Sequence, residues 1–215
     1  MATKKFSKSE ALRFGWTTMK NNLGFFIGLI IVAGLIIIIP YFISGLTSKD
    51  APVISLIITI VCIVLQLIIG MGLIRISLKF ADNDKAELGD LFACLPMFFK
   101  YLGGSILYGL IIIGGLILLI VPGIIWAIKF CFFGYFIIDK ELGPIEALKR
   151  SSIITKGAKW DLFLFGLLTI GINILGVLAL LIGLFATLPT TMVAYAFVYR
   201  KLLAQTEIAQ TPVST

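Results

Sequence analysis

The chain contains no histidine, and only 13 % of its 215 residues carry charge. Without histidine it lacks the commonest general base, the commonest transition-metal ligand and the usual pH sensor. Its three cysteines, Cys62, Cys94 and Cys131, are far apart and form no CxxC pair, so neither a disulfide nor a zinc framework is implied. No phosphate-binding GxxxxGK occurs, nor any HExxH or GxSxG. These absences leave no catalytic residue, cofactor or metal to expect, and the chain reads as a non-enzyme. Charged residues also fall short of the roughly one quarter usual in soluble domains, while hydrophobic ones reach 60 %. That composition belongs in a bilayer.

What is present is a regular alternation. Six apolar runs read as crossings: Leu23 to Leu46, Ala51 to Ile74, Leu102 to Val121, Pro122 to Ile138, Leu162 to Leu184 and Pro189 to Leu203. A bilayer core needs about 20 apolar residues per helix. The third and fourth runs meet at a tight Val121-Pro122-Gly123 turn. The first run exceeds the roughly 7 to 15 residues of a cleavable signal core, so it reads as a retained helix. Sixteen of the eighteen Lys and Arg fall into four stretches, Lys4 to Lys20, Arg75 to Lys100, Lys140 to Lys159, and Arg200 with Lys201. Basic residues flanking short crossings collect on the cytoplasmic side, so a plasma (inner) membrane protein with both termini cytoplasmic is expected. A re-entrant hairpin would suit the hydropathy of the fourth run, but it would place Lys140 to Lys159 outside, against the charge rule. The net charge of +7 is explained by anionic headgroups, and nucleic acid is not an expected partner.

Three of the basic stretches, about residues 7–21, 84–100 and 144–158, read as amphipathic helices lying in the interface. Ser7-x-x-Glu10 is a capping box, followed by Leu12, Trp16, Met19 and Leu23 at helical spacing opposite Lys5, Lys8, Arg13 and Lys20. Leu88, Leu91, Phe92, Leu95, Phe99 and Leu102 form a second stripe, interrupted by Pro96. Pro144 opens the third, whose narrower stripe is Ile145, Leu148 and Ser152. Glu10 and Lys20, Asp90 and Lys100, and Glu146 and Lys156 are each ten residues apart. This suggests three copies of one unit, an interfacial helix plus a transmembrane hairpin. Acid early and lysine late equally suits the dipole of any helix.

Few side chains offer chemistry. No carboxylate lies inside an apolar run, which argues against proton-coupled transport through buried acids. Thr59, Gln66, Ser105, Thr169 and Asn173 are the polar groups at membrane depth, and Gln66 and Asn173 are candidates for interhelical hydrogen bonds. Lys129 is the one charge there, near the middle of the fourth run. Either it snorkels to a headgroup, or it contacts an anion or lipid phosphate between helices. Lys20, Lys100, Arg150 and Lys156 are further candidate lipid or anion contacts. The frequent glycines of the runs, such as Gly104, Gly115 and Gly176, suit close helix packing.

Several stretches carry a likeness: EALRFGW at Glu10 to Trp16, DLF at Asp90 to Phe92, VPGII at Val121 to Ile125, GPIEALKRSSIITKGAKWDLF at Gly143 to Phe163, and GLFATLPTTMVAYAFVYRKL at Gly183 to Leu202. Through them the chain resembles a family of uncharacterised six-helix prokaryotic membrane proteins related to the YciC type and to the membrane domain of some glycerophosphoryl diester phosphodiesterases. The resemblance implies a plasma-membrane location and a helical fold, with no catalytic residues to carry over. The catalytic domain of those phosphodiesterases has no counterpart here.

The expectation is therefore an all-α, single integral membrane domain over residues 1–215 with six crossings. Its role would be to organise the bilayer, contact anionic lipids or scaffold a protein partner, with a homo-oligomer left open. The alternative is a small transporter or channel for a lipid or amphiphilic solute, whose mark would be a hydrated cavity reaching Lys129.

Overall fold

The computed structural model describes residues 5–47, 51–179 and 182–210, and all regular structure among them is helical. The α-helices are α1 (Lys8–Asn21), α2 (Leu23–Thr47), α3 (Pro52–Ala81), α4 (Phe98–Leu118), α5 (Ile120–Phe130), α6 (Phe133–Lys140), α7 (Pro144–Ile154), α8 (Lys159–Leu178) and α9 (Leu184–Gln210). Among the described residues, five helical segments are long and apolar enough to cross a membrane: Leu23–Ile43, Val53–Ala81, Leu88–Leu118, Ile120–Lys140 and Lys159–Leu178. Their outward faces are apolar too, with Phe42 68 % and Ile117 80 % exposed. Such a continuous apolar surface needs lipid to cover it. The 30 residues of α3 span about 45 Å. That exceeds the roughly 30 Å hydrocarbon core, so the turns bearing Arg75 and Lys79 can reach past it.

At the centre stands α9, packed against α1, α3 and α8. Val193, Ala194, Ala196, Val198, Tyr199 and Leu202 are all fully buried. Thr187, Pro189, Thr190 and Thr191 dilute its hydropathy, because its surroundings are mostly helices rather than lipid. It is accordingly absent from the five apolar segments, though the sixth run lies wholly within it. Helix α1 begins at Ser7, whose hydroxyl accepts the Glu10 amide at 3.2 Å. Its buried face is Ala11, Gly15 and Met19, while Trp16 and Leu23 point outward. Gly15 meets the Thr190 carbonyl where no Cβ would fit, and Phe14 stacks on Phe197 at 4.7 Å. So α1 does not simply float on the headgroups with its large apolar side chains down; it is bolted to the central helix.

The other two basic stretches also depart from expectation. Residues 84–100 form no single amphipathic helix: 3-10 turns occupy Leu88–Leu91 and Leu95–Met97, and α4 starts at Phe98. Asp90 accepts the Glu87 amide at 2.8 Å in a reciprocal cap, and Pro96 interrupts any longer helix. Leu91 is fully buried, its backbone pressed on Gly72, whereas Phe92 and Phe99 stay exposed. In the third stretch, α7 starts at Pro144 as expected but ends at Ile154. Its buried face is Ala147, Leu148, Ser151 and Ile154, and Ile145 is 63 % exposed. Helix pairs α2–α3, α4–α5 and α8–α9 do pack as three hairpins, but the elements preceding them differ in kind. The equivalent positions Leu12, Phe92 and Leu148 are half-buried, exposed and buried respectively.

The second hairpin turns at Leu119, a single extended residue, rather than at Val121-Pro122-Gly123. Pro122 sits in the first turn of α5, where its missing amide costs no hydrogen bond. A Cβ on Gly115 would lie 2.9 Å from Gly123 Cα, so the two glycines allow α4 and α5 to touch. The fourth run is not one helix either. It breaks at Cys131 and Phe132, between α5 and α6.

Candidate functional site

The three hairpins are tied together at their basic end by Arg200. From α9 its Nε and Nη2 donate to Asp82 Oδ1 and Oδ2 at 2.8 and 2.6 Å, just past the end of α3. Its Nη1 donates to Asp139 Oδ2 on α6 at 2.8 Å, and Tyr199 OH donates to the same oxygen at 3.0 Å. A planar guanidinium suits this double pairing, because its fork fills one carboxylate while a further N–H reaches the other. Asp139 is 11 % exposed, so the arm to it is the more protected one. Around this hub several further acids are paired as well. Lys79 Nζ lies 2.7 Å from both oxygens of Asp90, Lys8 pairs with Asp161 at 2.6 Å, and Lys201 with Glu10 at 3.2 Å.

The break in the fourth run is closed by α7. Ser151 Oγ accepts the Phe132 amide and donates to the Lys129 carbonyl, both at 3.1 Å. Thr155 Oγ1 donates to the same carbonyl at 3.0 Å. Irregular backbone at this depth persists only where other groups satisfy it. Ser151→Ala should therefore destabilise the protein by about 1–3 kcal/mol, since a buried amide loses its partner. Thr155→Val should cost less, because Ser151 still serves the Lys129 carbonyl. Thermal unfolding in detergent should order the two variants in that way.

Lys129 itself is half-buried, with its Nζ 4.9 Å from the Phe130 ring centroid. Among the described residues no carboxylate pairs with it. The contact with Thr155 puts Lys129 beside the turn that carries Lys156 and leads into α8 at Lys159, rather than at the middle of an unbroken crossing. Lys156 is exposed, and neither it nor Lys159 forms an ion pair among the described residues. The other expected contacts lie apart from this turn. Lys20 sits 5.7 Å above Trp16, Lys100 Nζ donates to the Glu141 carbonyl at 2.7 Å beyond the end of α6, and Arg150 pairs with Glu146 at 3.8 Å. Gln66 is exposed on α3. Asn173 Nδ2 donates to Thr191 Oγ1 at 3.4 Å between α8 and α9, while its Oδ1 has no partner among the described residues.

Sequence reasoning missed the Arg200 hub. Its signal was partial: Asp139 follows directly on the last residue of the fourth run, but Asp82 lies eight residues beyond the second, and Arg200 lies near the end of the last. Two apolar clefts were not foreseen either. One, of about 390 Å³, lies between α2, α3 and α9, with Thr191 and Tyr195 on an otherwise apolar wall that includes Phe26, Ala33 and Met192. The other, of about 270 Å³, lies between α5 and α8.

Apolar-faced helical hairpins locked at one end by ion pairs define a polytopic helical membrane protein. The chain belongs to the family described as protein of unknown function (DUF975), whose model matches residues 53–206. Neither the curated proteins nor the solved structures provide a significant match.

Proposed function

We propose that this chain is a non-enzymatic protein of the plasma membrane, with α9 as its sixth crossing and both termini cytoplasmic, that organises the bilayer by contact with anionic lipids. One observation carries the reading. At the basic end the acids Asp82, Asp90, Asp139 and Asp161 are consumed in ion pairs within the bundle, while Lys20, Lys149 and Lys156 remain exposed. The end therefore presents net positive charge beside apolar helices, and each basic residue near an anionic surface contributes about 1 kcal/mol of attraction. In the same reading the three hairpins descend from one repeated unit, whose leading elements α1, the 84–100 turns and α7 have diverged. The chain is then also kin to the membrane domain of glycerophosphoryl diester phosphodiesterases.

Purification in mild detergent followed by lipid mass spectrometry tests the reading. Phosphatidylglycerol should be enriched over phosphatidylcholine when both are supplied equally, and the enrichment should fall with salt because exposed charges are screened. Equal retention of the two lipids would remove the proposal. The cleft between α2, α3 and α9 supports a second reading, a small transporter or channel for a lipid or amphiphilic solute. It combines an apolar wall with the Thr191 and Tyr195 hydroxyls. Lipid or solute flux in proteoliposomes would favour it.

A further inference from the structure

The cleft between α5 and α8 differs from the rest of the lipid-facing surface in what lies at its lower end. Its walls are Ile124, Ala127, Ile128 and Cys131 on one side and Leu162, Phe163, Gly166 and Ile170 on the other. Those positions recur at helical spacing, so the cleft runs along both helices rather than across them. Just below it α8 begins. Lys159 lies four residues before Phe163 on the same face, and Trp160, 70 % exposed, stacks on Phe163 at 5.3 Å. Lys156 stands in the turn before, which Thr155 fastens to the end of α5. Lys and Trp at the end of an apolar helix are the side chains that anchor at headgroup level.

We infer that this cleft is a binding site for one anionic glycerophospholipid, with an acyl chain between α5 and α8 and the phosphate held by Lys156 and Lys159. The inference rests on the anionic-lipid reading above and assigns it a place. Charge complementarity selects the occupant. Both lysines lack an ion-pair partner among the described residues, and an anionic phosphate supplies the charge that they lack. The apolar walls offer a chain what the interior of the bilayer offers it, while the cleft adds contacts on two sides. Lys129 does not line the cleft, and its side chain leans on Phe130.

The full chain in detergent with phosphatidylglycerol and phosphatidylcholine tests this, read by native mass spectrometry. Lys156→Gln and Lys159→Gln should each lower retention of the most tightly held phosphatidylglycerol about fivefold, and Lys85→Gln, at an exposed position between α3 and α4, should leave it unchanged. Gly166→Leu should expel the chain without disturbing the bundle. A Cβ there lies 3.6 Å from the Tyr195 hydroxyl, an ordinary contact, and the remainder projects into the cleft. Should a variant fail to fold, phosphatidylglycerol with a photoreactive acyl chain decides on the wild-type protein, where adducts should fall within 124–131 and 162–170. Phosphatidylglycerol retained equally by every variant, or adducts confined to other helices, would overturn the site while leaving the broader reading intact. No preference for phosphatidylglycerol in the wild type would remove both.

Discussion

Arg200→Ala should lower stability by about 3–5 kcal/mol, the cost of leaving a protected carboxylate without its partner. The loss falls chiefly on Asp139, which is 11 % exposed and also takes the Tyr199 hydroxyl, while Asp82 at 38 % can recover water. Arg200→Lys should recover only part of the loss, because one ammonium cannot fill the fork on Asp82 and reach Asp139 together. Because Asp82, Asp139 and Arg200 come from different hairpins, the variant should also loosen them relative to one another. Thermal unfolding in detergent gives the stability, and faster proteolysis between α6 and α7 should report the loosening. An unchanged melting temperature in Arg200→Ala would show that the hub contributes nothing.

The second large effect is expected at Gly15. A leucine there meets the backbone carbonyl of Thr190, which cannot rotate aside, and the Ala194 amide lies close by. Overpacking of a closed contact costs about 3 kcal/mol at the upper end of its usual range, so α1 should detach from α9 before the rest of the bundle opens. Gly24→Leu is the control, since nothing lies within 4 Å of a Cβ at that position. Trp16 fluorescence should shift in the Gly15 variant and stay constant in the control.

How far the sequence could be read depends on which forces wrote each segment. Lipid imposes a long apolar run, so α2, α3, α4 and α8 are legible from composition, although α3 runs on from Ile74 to Ala81 and α8 stops at Leu178 rather than Leu184. Where protein rather than lipid surrounds the chain, the same signal misleads. Hydropathy underrates α9, because buried threonines are cheap once they bond their own helix, as Thr190 does to the Ala186 carbonyl at 2.7 Å. The stripe of residues 84–100 looked helical because Leu91 and Leu95 repeat at the right spacing, yet the Asp90 cap and Pro96 decide for short turns. The break at Cys131 and Phe132 was invisible, because the groups that satisfy it are the hydroxyls of Ser151 and Thr155, distant in sequence. Of the expected contact residues, Lys156 is exposed in the turn that Thr155 fastens to the end of α5. Lys100 is engaged by a backbone carbonyl and Arg150 by Glu146. Ion pairs between hairpins, such as Arg200 with Asp82 and Asp139, require knowing which ends meet, and spacing along one chain does not contain that.

The functional reading stands on the basic end of the bundle facing the cytoplasm. Single cysteines at Lys149→Cys and Ile182→Cys, in a chain carrying Cys62→Ala, Cys94→Ala and Cys131→Ala, place the two ends directly. Lys149 is exposed on α7, and Ile182 is 72 % exposed at the opposite end, between α8 and α9. A membrane-impermeant maleimide added to intact cells should label the cysteine at 182 and leave that at 149 unreacted until the membrane is opened. Labelling at 149 from outside, with protection at 182, would contradict the account.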